Sequence, residues 1–268
     1  MQMINFTKMV ASGNDFVILN RKPRGPLASF ARLICDRRFG VGADGLLLLE
    51  KVRQEQIAMR IFNADGSEAE MCGNGARCAA LWAKKTGISV KSPVRIKTKA
   101  GIIDSLVMRD TVRIKLTDPR NLMLNLSLKI NGRALGLSFI NTGVPHAVLF
   151  ADKVDGIDVV GLGRQVRNHR FFQPRGTNVD FVQVEGPDSV RLRTYERGVE
   201  DETLACGTGS VAAALVFALK GGGRDGVVNV QTQSREALKV YFERATRTFK
   251  NVWLEGKARI VYQGAYYV

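Results

Sequence analysis

Histidine is almost missing from this sequence. His146 and His169 are the only two in 268 residues, and their spacing suits no ligand pair, so no metal site is expected. Cysteine is scarce too: Cys35, Cys72, Cys78 and Cys206 complete the set. None has the C-x2-C spacing of a zinc site, and without an export signal reduced thiols are expected rather than a disulfide framework. Long apolar runs are lacking. The longest, Val211 to Leu219, is too short to cross a bilayer. Met1-Gln2-Met3-Ile4-Asn5 lacks the basic start and apolar stretch of a signal peptide. The expectation is a cytoplasmic protein with no membrane partner.

What is abundant is positive charge. Forty basic residues against 25 acidic ones leave a net charge of +15, which invites a nucleic-acid reading. Position argues otherwise. Arg95, Lys97 and Lys99 alternate with Val94, Ile96 and Thr98; Arg113 and Lys115 alternate with Val112 and Ile114; Arg191 and Arg193 alternate with Val190 and Leu192. Such alternation marks the solvated outer faces of half-buried strands. No interleaved aromatics form a base-stacking platform, so nucleic acid is not expected as a partner.

Short strand-like segments dominate, most bounded by Gly, Asp, Asn or Pro as antiparallel strands usually are. They are expected at 15–20, 46–51, 58–62, 94–99, 102–108, 111–116, 147–150, 181–185, 190–196, 227–231, 237–242, 252–255 and 259–263. Arg109-Asp110 reads as a hairpin turn between two of them. Four helices are expected, over 27–37, 75–85, 159–168 and 210–220. The last is apolar on every side, so it must be buried on every side, inside a wrapping of sheet.

The chain also carries a weak internal repeat. A strand at 58–62 leads to Asn63-Ala64-Asp65-Gly66, then Cys72-Gly73-Asn74-Gly75, then an apolar helix. A strand at 190–195 leads to Glu196-Arg197-Gly198, then Cys206-Gly207-Thr208-Gly209, then another. A cysteine at a helix start lies beside unpaired N–H groups and the positive end of the helix dipole. Both favour the thiolate, and such sites can bring a thiol from about 8.5 to below about 7.5. The glycines let backbone approach a ligand, and the N–H groups seat a carboxylate. Two such motifs suit inversion of a stereocentre, with a thiolate base on one face of a carbon and a thiol acid on the other.

The flanking residues resemble the diaminopimelate epimerase family. The carrying segments are Lys8-Met9 with Gly13-Asn14-Asp15-Phe16; Arg38-Phe39-Gly40-Val41-Gly42-Ala43-Asp44-Gly45; Arg60-Ile61-Phe62-Asn63-Ala64-Asp65-Gly66-Ser67-Glu68, running on through Cys72 to Cys78; Gly143-Val144-Pro145-His146; Arg175-Gly176-Thr177-Asn178-Val179-Asp180-Phe181; and Glu196-Arg197-Gly198 with Cys206-Gly207-Thr208-Gly209. The resemblance implies an α/β (α+β) fold of two similar domains. Each is a curled, mainly antiparallel sheet wrapped around a central helix, with the active site in the cleft between them. The expected boundaries are 1–118 plus 257–268 for one domain and 119–256 for the other. It implies interconversion of LL- and meso-2,6-diaminopimelate, in lysine and cell-wall precursor biosynthesis, with no cofactor and a homodimer left open. Cys72 and Cys206 carry over as the acid–base pair, supported by His146 and Glu196. Asn14, Asn63, Asn74, Asn178, Glu196 and Arg197 carry over as substrate-holding residues, with Gly73, Gly207 and Thr208 as donors to the reacting carboxylate. The chain has Gly45 where many members carry Gln, and Val144 where many carry Asn.

Blander readings stand beside these. Asn14, Asn63, Asn74 and Asn178 all suit turns, Glu196-Arg197 suits a surface ion pair, and Cys35 and Cys78 read as core packing. Gly45 and Val144 keep open a racemase for another amino acid, such as histidine. A proline-racemase-like enzyme would share the two cysteines but not the flanking blocks. A basic phosphate- or RNA-binding module is the remaining alternative.

Overall fold

Alternating burial along the chain produces a mostly β structure, with four α-helices among the described residues. The computed structural model describes residues 2–89, 91–223 and 225–268. In chain order the elements begin β1 (Met3–Ala11), β2 (Asn14–Leu19), α1 (Leu27–Cys35), β3 (Gly45–Arg53), β4 (Gln56–Asn63), β5 (Glu68–Ala69), α2 (Gly73–Lys85), β6 (Val94–Thr98), β7 (Gly101–Met108) and β8 (Thr111–Lys115). They continue β9 (Arg120–Ile130), β10 (Arg133–Asn141), β11 (Pro145–Phe150), α3 (Val159–Arg167), a short 3-10 turn, β12 (Asn178–Gly186), β13 (Ser189–Glu196) and β14 (Asp201–Thr203). The rest are α4 (Gly207–Leu219), β15 (Val227–Gln231), β16 (Ala237–Ala245), β17 (Thr248–Lys257) and β18 (Arg259–Tyr267).

Contacts divide the chain into two units. One holds everything before Leu116 together with Gly256–Val268; the other is Leu116–Glu255. In the first, β18 and β2 flank β1 antiparallel, β2 runs parallel to β3, β3 pairs antiparallel with β4, and β4 pairs with β5 antiparallel and β6 parallel. The meander β6–β7–β8 completes it. The second unit repeats this order. Strands β9 and β11 flank β10, β11 runs parallel to β12, β12 pairs antiparallel with β13, and β13 pairs with β14 antiparallel and β15 parallel, before β16 and β17. Each parallel step needs a crossover; α1 and α2 lie in those of the first unit, and α3 and α4 in those of the second.

The central helix of each unit is wrapped by its own strands. Helix α2 touches β1, β2, β3, β4, β6, β7, β8 and β18, and α4 touches β10, β11, β12, β13, β15 and β16. Every residue of α4 from Gly209 to Ala218 is buried. Helix α2 ends at Thr86 before Gly87 takes a φ of 72°, a left-handed position that glycine adopts without strain.

The structure departs from the sequence reading in several places. Helix α1 stops at Cys35 because Asp36 swings to extended backbone and its carboxylate accepts the N–H groups of Arg38 and Phe39, both at 2.7 Å. The segment around 120–141, read without strands, is the hairpin β9–β10, turned through Asn131 (φ 48°) and Gly132 (φ 81°). Strands β1, β5 and β14 were also not foreseen. Arg193 is not on a solvated face. Its side chain is 13% exposed, pairs with Glu202 at 2.7 Å and donates to the carbonyls of Val154 and Ile157.

Candidate active site

The repeat brings the predicted residues together as two sets, one in each unit. In the first unit, β2 and β3 begin and β4 ends at the same edge, because Phe16 pairs with Gly45 and Gly45 with Asn63. This edge carries Asn14 and Asn63, and α2 starts beside it. Cys72 caps that helix, its Sγ accepting the Gly75 N–H at 3.5 Å. Gly73 and Asn74 form the first helical residues, with no acid in the first turn to compete for the N–H groups. The Asn74 amide donates to Oδ1 of Asn14. Asn63 is exposed in its turn, donating to Ser67 Oγ at 2.9 Å.

Ion pairs stiffen this edge. Asp15 contacts Lys8 at 2.8 Å and Arg37 at 2.8 Å, and Arg37 reaches Asp44 at 2.7 Å. Burial opposes ionisation of Asp15, but the hydrogen bonds from Arg37 and Lys8 outweigh it and hold the carboxyl at about 2. Gly45 sits where a Cβ would lie 2.8 Å from the Phe62 carbonyl oxygen. The glycine is therefore built into the strand pairing of this chain.

In the second unit His146 pairs in register with Asn178 at the starts of β11 and β12, and β13 ends there at Glu196. Asn178 ties the edge together. It donates to the Pro145 carbonyl at 3.1 Å and accepts the Arg197 N–H at 2.8 Å. Arg197 also reaches the Arg175 carbonyl at 3.1 Å. Cys206 caps α4, accepting the Gly209 N–H at 3.4 Å, with Thr208 Oγ1 also 3.4 Å from its sulfur. The Thr208 carbonyl is fixed by Thr142 Oγ1 at 3.0 Å. A Cβ on Gly207 would lie 3.0 Å from a methyl of Leu254, a tight fit that the leucine side chain would have to relieve.

Asp180 lies inside the quoted motif yet was given no role by the sequence reading. Its carboxylate is fully buried, with Oδ2 2.7 Å from His146 Nδ1 and Oδ1 accepting Thr194 Oγ1 at 2.8 Å. A carboxylate only accepts, so Nδ1 of His146 carries a proton toward Asp180, while Nε2 lies 3.5 Å from the Asn178 amide nitrogen. Only the strand pairing of β12 with β11 and β13 reveals this. Arg77 and Asp44, at the first unit's edge, were likewise given no role.

The two thiols were expected to be favoured as thiolates by their helix ends. For Cys206 the structure reverses this. Burial, then the carboxylates of Glu196 and Asp180, push its thiol well above the usual value, against the weaker pull of the Thr208 and Gly209 donors. Burial also pushes the Glu196 carboxyl above its ordinary value. Cys35 and Cys78 are both buried, and burial takes Cys35 up to about 12, as suits packing residues. Among the described residues no three or more His, Cys, Asp or Glu side chains gather as metal ligands do. Nor, among the described residues, is any helix long and apolar enough to cross a membrane.

The chain as a whole is similar to known proteins. A family model described as "Diaminopimelate epimerase" matches residues 6–121 and 138–261. The chain is 42% identical to the diaminopimelate epimerase of Aquifex aeolicus, over 97% of each sequence. It is 41% identical to that of Methanocella arvoryzae, over 98% of this chain and 97% of the relative. Among solved structures it resembles a Bacillus anthracis phenazine biosynthesis protein of the PhzF family, with a TM-score of 0.73 at 16% identity over the whole of both chains. It also resembles a probable proline racemase from Agrobacterium radiobacter, with a TM-score of 0.70 at 16% identity over 97% and 92% of the two chains. At that identity the structural likeness concerns the fold.

Proposed function

The chain belongs to the diaminopimelate epimerase family, and on that premise we propose that it interconverts LL- and meso-2,6-diaminopimelate by proton transfer between two cysteines. The observation that carries this is the pair of cysteines, Cys72 and Cys206, each capping a buried helix that opens on glycine.

Inversion needs a base on one face of the α-carbon and an acid on the other. Cys206, pushed well above the usual thiol value, starts as the acid. The scheme then assigns the base to Cys72, whose thiolate takes the α-proton while Cys206 delivers its own to the opposite face. Cys72 ends as thiol and Cys206 as thiolate, and the reverse reaction exchanges the roles. Negative charge that builds on the reacting carboxylate is met by the N–H groups of Gly73 and Gly207 and by Thr208. Asp180 orients His146, and His146 and Glu196 support the thiols. Asn14, Asn63, Asn74 and Asn178 hold the substrate's two amino-acid ends with Arg197, a donor fork suited to a carboxylate, and Glu196, an acceptor suited to an ammonium.

The reading includes catalysis without pyridoxal, a cytoplasmic setting in which both thiols stay reduced, and two epimerase domains, 1–118 with 257–268 and 119–256. The test is incubation of reduced, cofactor-free protein with LL-diaminopimelate in deuterated water. Deuterium at the α-carbon together with the meso form is expected, and both should vanish in Cys72→Ala and Cys206→Ala. No exchange with this substrate, but exchange with another amino acid, would reject the assigned substrate while keeping the chemistry.

A further inference from the structure

Arg77 is fully buried on α2. An arginine is almost never buried whole unless its charge and donors are held. The fold itself does not ask for it. Five residues after the capping cysteine of α4, at the matching place, stands Val211, equally buried. The sister helix fills the same position with plain packing.

The guanidinium directs Nη2 at two acceptors, Ser12 Oγ at 2.9 Å and Oδ1 of Asn74. Guanidinium only donates, so the Asn74 atom facing it is oxygen. That turns the Asn74 nitrogen toward Oδ1 of Asn14. The Asn14 nitrogen in turn donates to Asp44 Oδ2 at 3.1 Å. Asp44 is fixed by Arg37 at 2.7 Å and by the Asp15 N–H at 3.1 Å. Donation therefore runs one way, from a buried cation through two amides to an anion. Flipping either amide sets donor against donor at one end and acceptor against acceptor at the other.

We propose that Arg77 is a positioning residue that sets the orientation of the Asn74 amide and, through it, that of Asn14, with Asp44 fixing the far end. This rests on the reading that these two asparagines hold the substrate. Each amide keeps one N–H and one oxygen lone pair beyond the bonds of this chain. With both orientations fixed before binding, a zwitterionic amino acid meets a set pattern of donors and acceptors and need not order it. Such contacts act on bound substrate and transition state alike, so their loss appears in KM rather than kcat.

The test compares Arg77→Lys, Asp44→Asn and Ser12→Ala by thermal melting and by kinetics with LL-diaminopimelate. Arg77→Lys is expected to fold and to raise KM about ten-fold with kcat within about two-fold of wild type. Asp44→Asn, at the exposed end, should raise KM about three-fold. Ser12→Ala removes the other acceptor of the same nitrogen, and should lower the melting temperature while leaving KM unchanged. Wild-type KM in both Arg77→Lys and Asp44→Asn overturns the proposal, as does a KM rise in Ser12→Ala equal to that of Arg77→Lys. If Arg77→Lys does not fold, Asp44→Asn decides alone, and an unchanged KM rejects the inference. Wild-type protein inert toward diaminopimelate strikes at the functional reading instead, so the two failures are told apart.

Discussion

Beneath the last glycine of each helix-opening C-G-x-G motif, the two units have made opposite choices. A Cβ on Gly75 would meet methyl groups of Ile61 and Leu47, both at 3.3 Å; on Gly209 it would meet Asp180 Oδ1 at 2.5 Å and Thr194 Oγ1 at 3.2 Å. The first unit has an apolar floor of sheet and a buried cation, Arg77, on its helix. The second has a buried carboxylate in its sheet and an apolar helix with Val211 in the matching place. Backbone topology is shared, so the difference lies in what each unit buries here: a cation on the helix in one, a carboxylate in the sheet in the other. In the first, Arg77 donates to the Asn74 amide; in the second, burial and then the carboxylates of Glu196 and Asp180 push the Cys206 thiol up. Repetition of a fold thus supplies two similar seats with unlike electrostatics, which suits a reaction needing an acid and a base at once.

The most damaging way to break the comparison is to remove either thiol. Cys72→Ala and Cys206→Ala should each lower epimerisation by roughly a hundred- to ten-thousand-fold, the usual range for loss of a general acid or base. Activity within ten-fold of wild type in either variant would show that the two caps are not a pair. Next comes Asp180→Asn, which keeps the shape but puts an amide beside His146. A fall in kcat of about ten- to a hundred-fold is expected, as for other residues that orient a reacting side chain. A kcat equal to wild type, with a normal melting curve, removes the carboxylate from the mechanism.

Alanine at the two glycines sharpens the contrast in stability. Gly209→Ala drives a Cβ into a buried, hydrogen-bonded carboxylate and should destabilise by about 2 kcal/mol. At Gly75→Ala the methyl groups can yield by tenths of an ångström, and alanine's better helix propensity offsets the crowding, so a change under about 1 kcal/mol is expected. Equal losses in denaturant unfolding would mean that the floors beneath the helices do not differ in compliance.

The smallest effect concerns Glu196. Because burial raises its folded value, the folded state binds the proton more tightly than the unfolded one. Its contribution to stability is therefore fully present below the unfolded carboxyl value and lost as pH rises through the folded one. Glu196→Gln should melt higher than wild type at neutral pH and no higher at pH 4. A gain of the same size at both would assign the effect to something other than ionisation.

Much of the candidate site was legible because it is local in sequence. A cysteine that opens a C-G-x-G run ahead of an apolar stretch places a capping thiol without any knowledge of tertiary structure. Strand alternation marked most of the sheet for the same reason. The hairpin at β9–β10 is written locally as well. Leu122, Leu124, Leu126, Leu128 and Ile130 alternate cleanly, and Asn131-Gly132 is a strong turn pair. What the sequence could not disclose is whatever joins distant residues. Asn74 meets Asn14 across 60 positions, and Asp180 meets His146 across 34. Nor could spacing alone show that Cys206 would be ruled by burial and two carboxylates rather than by its helix end.

Strand β18 pairs with β1 along most of its length, from Met3 with Tyr267 to Val10 with Arg259. The second unit is one continuous stretch, whereas the first borrows this strand from beyond it. During translation, Arg259–Tyr267 leaves the ribosome only after the whole of the second unit has emerged. The nascent chain therefore meets an inverted schedule, in which the later-made unit has all its strands while the earlier-made one still exposes an open edge along β1. A premature stop codon after Glu255 would spare the second unit and strand the first, placing the phenotype of a C-terminal truncation at the opposite end of the polypeptide.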